Sequence, residues 1–164
     1  MQLRHDIGLD VRLRRTAVDK LVIHRTAQKS LEDLAKLFLN PDVGTGGKFP
    51  YHIVIFPDGS TRLCVPLNRA APGAMIYNDS GVQIALTGDF RFSKSPTTAA
   101  LVSLESVCLL MWKLFGRLPI LGHTQMPGTT DDAKKVCPGK NLDLKHLYAA
   151  VSAQFAKRDT LSYA

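Results

Sequence analysis

Cysteine is scarce and poorly placed for cross-linking. Cys64, Cys108 and Cys137 are odd in number and widely spaced, which argues against a disulfide framework, and no CxxC pair suggests a zinc ribbon. Long apolar runs are missing as well. The longest, around Cys108 to Leu114, is broken by Lys113 and falls short of the roughly 20 residues that a bilayer crossing needs. The first residues, MQLRHDIGLDVRLRR, never form the continuous apolar stretch of a signal peptide. The expectation is synthesis in the cytoplasm without a signal peptide and no stable membrane insertion, so that any task outside the cell requires another export route. Glycine and proline are not enriched enough for disorder, and no repeat, low-complexity tract or long linker divides the chain. Acidic residues are the minority charge, 14 against 21 basic ones, and the net charge of +7 points to an anionic partner. Nucleic acid, an acidic membrane surface and an anionic cell-wall polymer all satisfy that sign. The basic residues are scattered apart from Arg12, Arg14 and Arg15, few aromatics are interleaved with them, and no DNA-reading motif occurs, so nucleic acid is not the expected partner.

What is present fits one domain. A chain of 164 residues buries a sizeable core without staples. Residues 1–18 read as a basic arm or loose first strand, 19–157 as the folded domain and 158–164 as a tail. KLVIH is a β-branched run that reads as a buried strand ending at His24. In SLEDLAKLFLN, Ser30 stands as N-cap with Asp33 three residues on, Leu31, Leu34, Leu37 and Phe38 make the helical stripe, and Pro41 follows. The glycine-rich PDVGTGGKF is not a phosphate loop, because the first glycine at the required spacing is absent and Phe49 replaces the Ser or Thr. YHIVIFPDGSTRLCV reads as two strands joined by a turn at Pro57-Asp58-Gly59. GVQIALTG is a further strand. A helix follows with Ser95 as N-cap, Pro96 at its first position and a stop at Gly116. LPILGH is a short strand ending at His123, and Asp143 caps a last helix with Leu144, Leu147, Val151 and Phe155 roughly on one face. Interspersed strands and helices predict an α/β fold, a single domain with a central mixed sheet flanked by helices.

Position separates the five histidines. His5 in the basic arm and His146 in the first turn of the last helix read as solvated, and His52, mid-strand, as a core or supporting residue. His24 and His123 each terminate an apolar strand, which places them at the rim of a sheet, where open sites are built. Cys64 and Cys108 read as small buried hydrophobes, whereas Cys137 lies in a polar loop beside Lys134 and Lys135, whose charge favours the thiolate. Two histidines and one cysteine would leave a zinc ion one open position, the catalytic rather than the structural arrangement. Spacing alone does not show that the three converge, and His24 and His123, each taken singly, read more often as structural histidines than as ligands.

Four blocks occur in order: VIHRTA, PYHIVIFPDGSTRL, YNDSGVQIALTGDF and GHTQMPGTTDDAKKVCPGKNLDL. Together, over nearly the whole chain, they resemble the zinc-dependent N-acetylmuramoyl-L-alanine amidases of the type-2 family, which includes short bacteriophage endolysins and the catalytic peptidoglycan recognition proteins. The resemblance implies zinc (Zn2+) held by His24, His123 and Cys137 at one rim of the sheet, with Tyr51 and Lys135 assisting at the reacting amide. It makes 19–157 an amidase catalytic domain and peptidoglycan, the glycan strand with its stem peptide, the substrate, and it suggests a monomeric phage or prophage lysis enzyme that reaches the wall after release from the host cytoplasm. Three departures stand out. Pro50 replaces the glycine that often precedes the tyrosine, Gly73 stands where some relatives have a histidine, and the loop between His123 and Cys137 is longer than in the shortest relatives. The alternatives are a non-catalytic peptidoglycan-binding module, against which Cys137 argues because such relatives have generally lost the cysteine, and a basic regulatory protein. An anhydro-muramyl amidase would use a carboxylate as third ligand, and Cys137 argues against that too.

Overall fold

The computed structural model of the chain describes residues 13, 16–27, 30–42, 45–127 and 136–159. Five strands form one sheet in the order β3-β2-β4-β1-β5. They are β1 (Lys20–Thr26), β2 (Ile53–Ile55), β3 (Thr61–Leu63), β4 (Gly81–Thr87) and β5 (Ile120–Gly122), and the helices are α1 (Leu31–Phe38), α2 (Thr98–Phe115) and α3 (Leu144–Asp159). β1 pairs in parallel with both β4 and β5, β2 is parallel to β4, and only β3 runs antiparallel, against β2. The sheet is therefore mixed, as expected.

Strand alternation sorts the side chains into two faces. Leu21 and Ile23 of β1, Ile53 and Ile55 of β2, and Val82, Ile84 and Leu86 of β4 join Leu104, Cys108, Met111 and Trp112 of α2 and Leu147 and Val151 of α3 in the main core. The opposite face packs Val54 and Ala85 with Leu34 of α1, Phe49, Tyr51 and Val65. α2 is long and apolar enough by composition to cross a membrane. Here it is a core helix, with Leu104, Cys108 and Trp112 fully buried against the sheet and α3.

Local chemistry sets most boundaries. Ser30 Oγ accepts from Asp33 N at 3.1 Å, the expected cap of α1. Asp143 Oδ1 accepts from the amides of Lys145 and His146 and caps α3 in the same way. Asp58 Oδ1 accepts from Ser60 N, and Gly59 adopts φ +84 in the β2–β3 turn.

Several expectations need correction. α2 begins two residues later than predicted, with Thr97 as its N-cap, because Thr97 Oγ1 accepts from Ala100 N and itself donates to Pro57 O in the β2–β3 connection. β1 continues past His24 to Thr26, because its pairing with β4 extends to Thr87. β2 starts at Ile53, which leaves His52 at the strand's edge rather than within it. Leu37 is exposed, since the eight-residue α1 covers only part of the sheet with Leu34 and Ala35. Cys108 is buried as expected, but Cys64 at the end of the edge strand is only half-buried. Of the basic arm, Leu13 makes an isolated antiparallel bridge to Arg69, and most of 1–18 lies outside the described residues, as does His5.

Candidate metal centre

β1 and β5 bring the two rim histidines together. Their parallel register aligns Ile23 with Gly122, so the residues that follow, His24 within β1 and His123 just past the end of β5, stand side by side. The two ring centroids are 4.8 Å apart. His24 still lies within β1, on the face away from α2 and α3, and is 1% exposed. His123 opens a 3-10 turn (His123–Gln125) and is half-buried. Gln125 Oε1 ties that turn down by accepting from Gly122 N at 2.7 Å.

Cys137 approaches from the last loop because two glycines allow it. A Cβ on Gly122 would lie 2.7 Å from Pro138 Cδ, and one on Gly139, whose φ is +117, would lie 2.5 Å from Phe90 O. Both positions exclude any side chain, and the Cys-Pro-Gly segment packs flush against β5. Thr124 donates twice to Cys137 O, from its amide at 3.1 Å and from Oγ1 at 2.9 Å. On the other side the Arg25 amide donates to Cys137 Sγ at 3.4 Å and Arg25 Nε to Val136 O at 3.3 Å.

The ligand atoms of His24, His123 and Cys137 all lie within 4.8 Å of one another, and His24 Nδ1 is 3.8 Å from Cys137 Sγ. At ordinary zinc–nitrogen and zinc–sulfur bond lengths, neighbouring donors of a tetrahedron stand about 3.5 Å apart. That edge is therefore close to the coordinated spacing, and the donor set fits a divalent metal of intermediate softness. The electrostatics agree. Burial, with His123 alongside, holds the His24 imidazole down to about 3, so it is neutral with a free lone pair at ordinary pH. Burial also lowers His123. Burial pushes the Cys137 thiol up, and the Arg25 amide and charge oppose that only in part; a metal ion held beside the sulfur would favour its thiolate.

Tyr51 lies at the same place. Its ring centroid is 5.2 Å from that of His24, and Phe38 and Phe49 hold it edge-on from behind. Burial, reinforced by Cys137, raises its phenol well above the usual tyrosine value, which keeps the hydroxyl protonated. Lys135 and the rest of the segment 128–135 lie outside the described residues. His146 is exposed on α3. His52 is a core histidine, fully buried, with Nδ1 accepting from Gln83 N at 2.8 Å and Nε2 bonded to Arg69 O at 2.9 Å.

Two residues of the site escaped the sequence reading. Arg25 follows His24 directly and holds the Cys137 loop, as described. Gln83 is fully buried, and its Oε1 is 2.8 Å from His24 Nε2. Its one visible signal was a lone amide inside the apolar run GVQIALTG.

The profile of the N-acetylmuramoyl-L-alanine amidase family matches residues 14–140. No curated protein sequence gives a significant match. Among solved structures, the chain is similar to the N-acetylmuramoyl-L-alanine amidase LysC from Clostridium intestinale URNW, with TM-score 0.70 and 20% identity over 82% of this chain and 85% of that one. It is likewise similar to the Ph2119 endolysin from Thermus scotoductus MAT2119 bacteriophage Ph2119, with TM-score 0.70 and 20% identity over 86% and 89% of the two chains. Drosophila PGRP-LB shows TM-score 0.67 and 21% identity over 92% and 88%. At these identities the likeness is one of fold.

Proposed function

The chain belongs to the N-acetylmuramoyl-L-alanine amidase family, and from that premise we propose that it hydrolyses the amide joining the lactyl group of N-acetylmuramic acid to L-alanine in peptidoglycan, with zinc held by His24, His123 and Cys137. The observation that carries the proposal is the convergence of these three ligand atoms within 4.8 Å. When bound, zinc supplies a Lewis acid and makes water nucleophilic at neutral pH. The neutral imidazole of His24, locked in the sheet, and the His123 turn present nitrogen donors, and Cys137 presents sulfur from a loop pinned by Arg25 and Thr124. Addition of water to the amide places negative charge on the former carbonyl oxygen. The Tyr51 hydroxyl, kept protonated by its burial, donates to that oxygen, and Lys135 is the second donor in this proposal. A phage or prophage lysis role, with synthesis in the host cytoplasm and action on the wall after release, belongs to the same proposal, and the fold shared with the Ph2119 endolysin supports it. The net charge of +7 suits an anionic wall.

The test is digestion of purified peptidoglycan, followed by labelling of newly exposed termini. New L-alanine amino termini are expected, lost with a zinc chelator and restored by added zinc. New reducing sugar ends, or tight wall binding with no new termini at all, would overturn the amidase assignment. Tyr51→Phe is expected to lower kcat about 100-fold, the usual cost of one oxyanion donor, with KM and zinc content little changed. A zinc content that fell with the activity would instead make Tyr51 a support of the metal centre.

A further inference from the structure

Pro50 and Gly73 meet in space, and a third residue fills the room beside them. A Cβ on Gly73 would lie 2.5 Å from Pro50 O and 3.3 Å from Cγ and Oε1 of Gln83. The backbone here admits no side chain at 73, and the Gln83 amide packs directly against that glycine. Gly81 walls the other side, since its Cβ would lie 2.8 Å from Gln83 Nε2. The Gln83 backbone is pinned as well: its amide donates to His52 Nδ1 at 2.8 Å, and its carbonyl accepts from His52 N at 2.9 Å. Gln83 is thus held from main chain to amide, fully buried, with Oε1 2.8 Å from His24 Nε2.

We propose that Gln83 is a positioning residue for the metal centre, which orients His24 from its seat between Gly73 and Gly81. The amide can face His24 in one sense only. Its Nε2 lies 3.5 Å from Gly81 O, an acceptor, and turning the amide over would set two oxygens against each other. Oε1 therefore accepts from His24, which places the imidazole hydrogen on Nε2 and the lone pair on Nδ1. Nδ1 is the nitrogen that faces Cys137 Sγ, at 3.8 Å. A metal-binding histidine almost always has its second nitrogen anchored in this way, which selects the tautomer and fixes the orientation of the ring. His52 takes part indirectly by fixing the Gln83 backbone.

This inference rests on the metal reading of His24, His123 and Cys137, and the experiment separates the two. Zinc affinity of the full chain is measured by competition with a chromophoric chelator, and the His24 tautomer of the metal-free protein by long-range 1H–15N NMR. Wild type is expected to bind one zinc and to carry the His24 hydrogen on Nε2. Gln83→Leu, similar in size but without an acceptor, is expected to bind zinc about 10–100-fold more weakly and to show mixed His24 tautomers. Gln83→Glu keeps the acceptor toward His24 and, as the neutral acid that burial favours, can turn its hydroxyl toward Gly81 O in place of the amide nitrogen, so it is expected to retain wild-type affinity. A Leu variant that binds zinc as wild type does, a Glu variant as weak as the Leu variant, or a wild-type His24 with its hydrogen on Nδ1 would each overturn the role of Gln83. Failure of wild type to bind zinc would overturn the metal reading, while the tautomer would still report on Gln83. Thermal unfolding of each variant shows whether the fold is kept, and the wild-type tautomer and the Glu variant decide the matter even where the Leu variant does not fold.

Discussion

Cys137→Ser is expected to bind no zinc at neutral pH and to release L-alanine amino termini from purified peptidoglycan at least about 1000-fold more slowly than wild type, as loss of some 4 kcal/mol of transition-state stabilisation implies. The reason is ligand chemistry rather than shape. A thiolate is a soft, anionic donor, whereas serine's hydroxyl stays protonated and binds zinc feebly. The loop itself depends little on the sulfur. Thr124 holds Cys137 through its carbonyl, Arg25 Nε holds Val136 O, and Gly122 and Gly139 make room for the segment, so the variant should keep the fold. Elemental analysis after dialysis against zinc checks the first half of the expectation, and assay with zinc re-added checks the second. Added zinc should rescue chelated wild type but not the serine variant. Full activity in the variant would remove Cys137 from the site.

Trp112→Ala is expected to lower unfolding free energy by about 3–5 kcal/mol, a large share of the roughly 5–15 kcal/mol that holds a domain together. Trp112 is fully buried in α2, and its ring meets Tyr148 and Phe155 of α3 edge-on, at 5.4 and 5.6 Å between centroids. Truncation opens a cavity at the joint between these two helices. The indole nitrogen has no hydrogen-bond partner among the described residues, so its loss strands no polar group there and the cost is one of packing. Since this is the only tryptophan, unfolding has to be followed by far-ultraviolet circular dichroism in urea rather than by fluorescence. The proposed metal centre lies on the other face of the sheet, so the zinc stoichiometry expected of wild type should not change at low denaturant. A loss below about 1 kcal/mol would mean that α3 is held by contacts other than this ring.

Much of the fold was legible because its signals are local. The Ser30 and Asp143 caps, the Pro57-Asp58-Gly59 turn and the stop at Gly116 each depend on a few neighbouring residues, and each appears where the sequence places it. The start of α2 did not, because Thr97 became the cap by reaching Pro57, a residue far back in the chain. Leu37 belonged to a credible apolar stripe, but only the docking of α1 decides how much of that stripe is covered.

The site divides along the same line. The sequence by itself marked His24 and His123 as strand ends, Cys137 as the cysteine set apart from the core, and four ordered blocks whose resemblance supplied a chemistry. Spacing could not say that these residues meet, because their meeting is a matter of register: the parallel pairing of β1 with β5 aligns Ile23 with Gly122 and so sets the two histidines side by side. Nor could it reveal Gln83. A polar residue in a strand gains its meaning from what the fold stacks against it, here the His24 ring on one side and the backbones of Gly73 and Gly81 around its amide. Residue type and local pattern determined which groups were available; only tertiary packing, which joins segments distant in the chain at hydrogen-bond range, determined which of them act together.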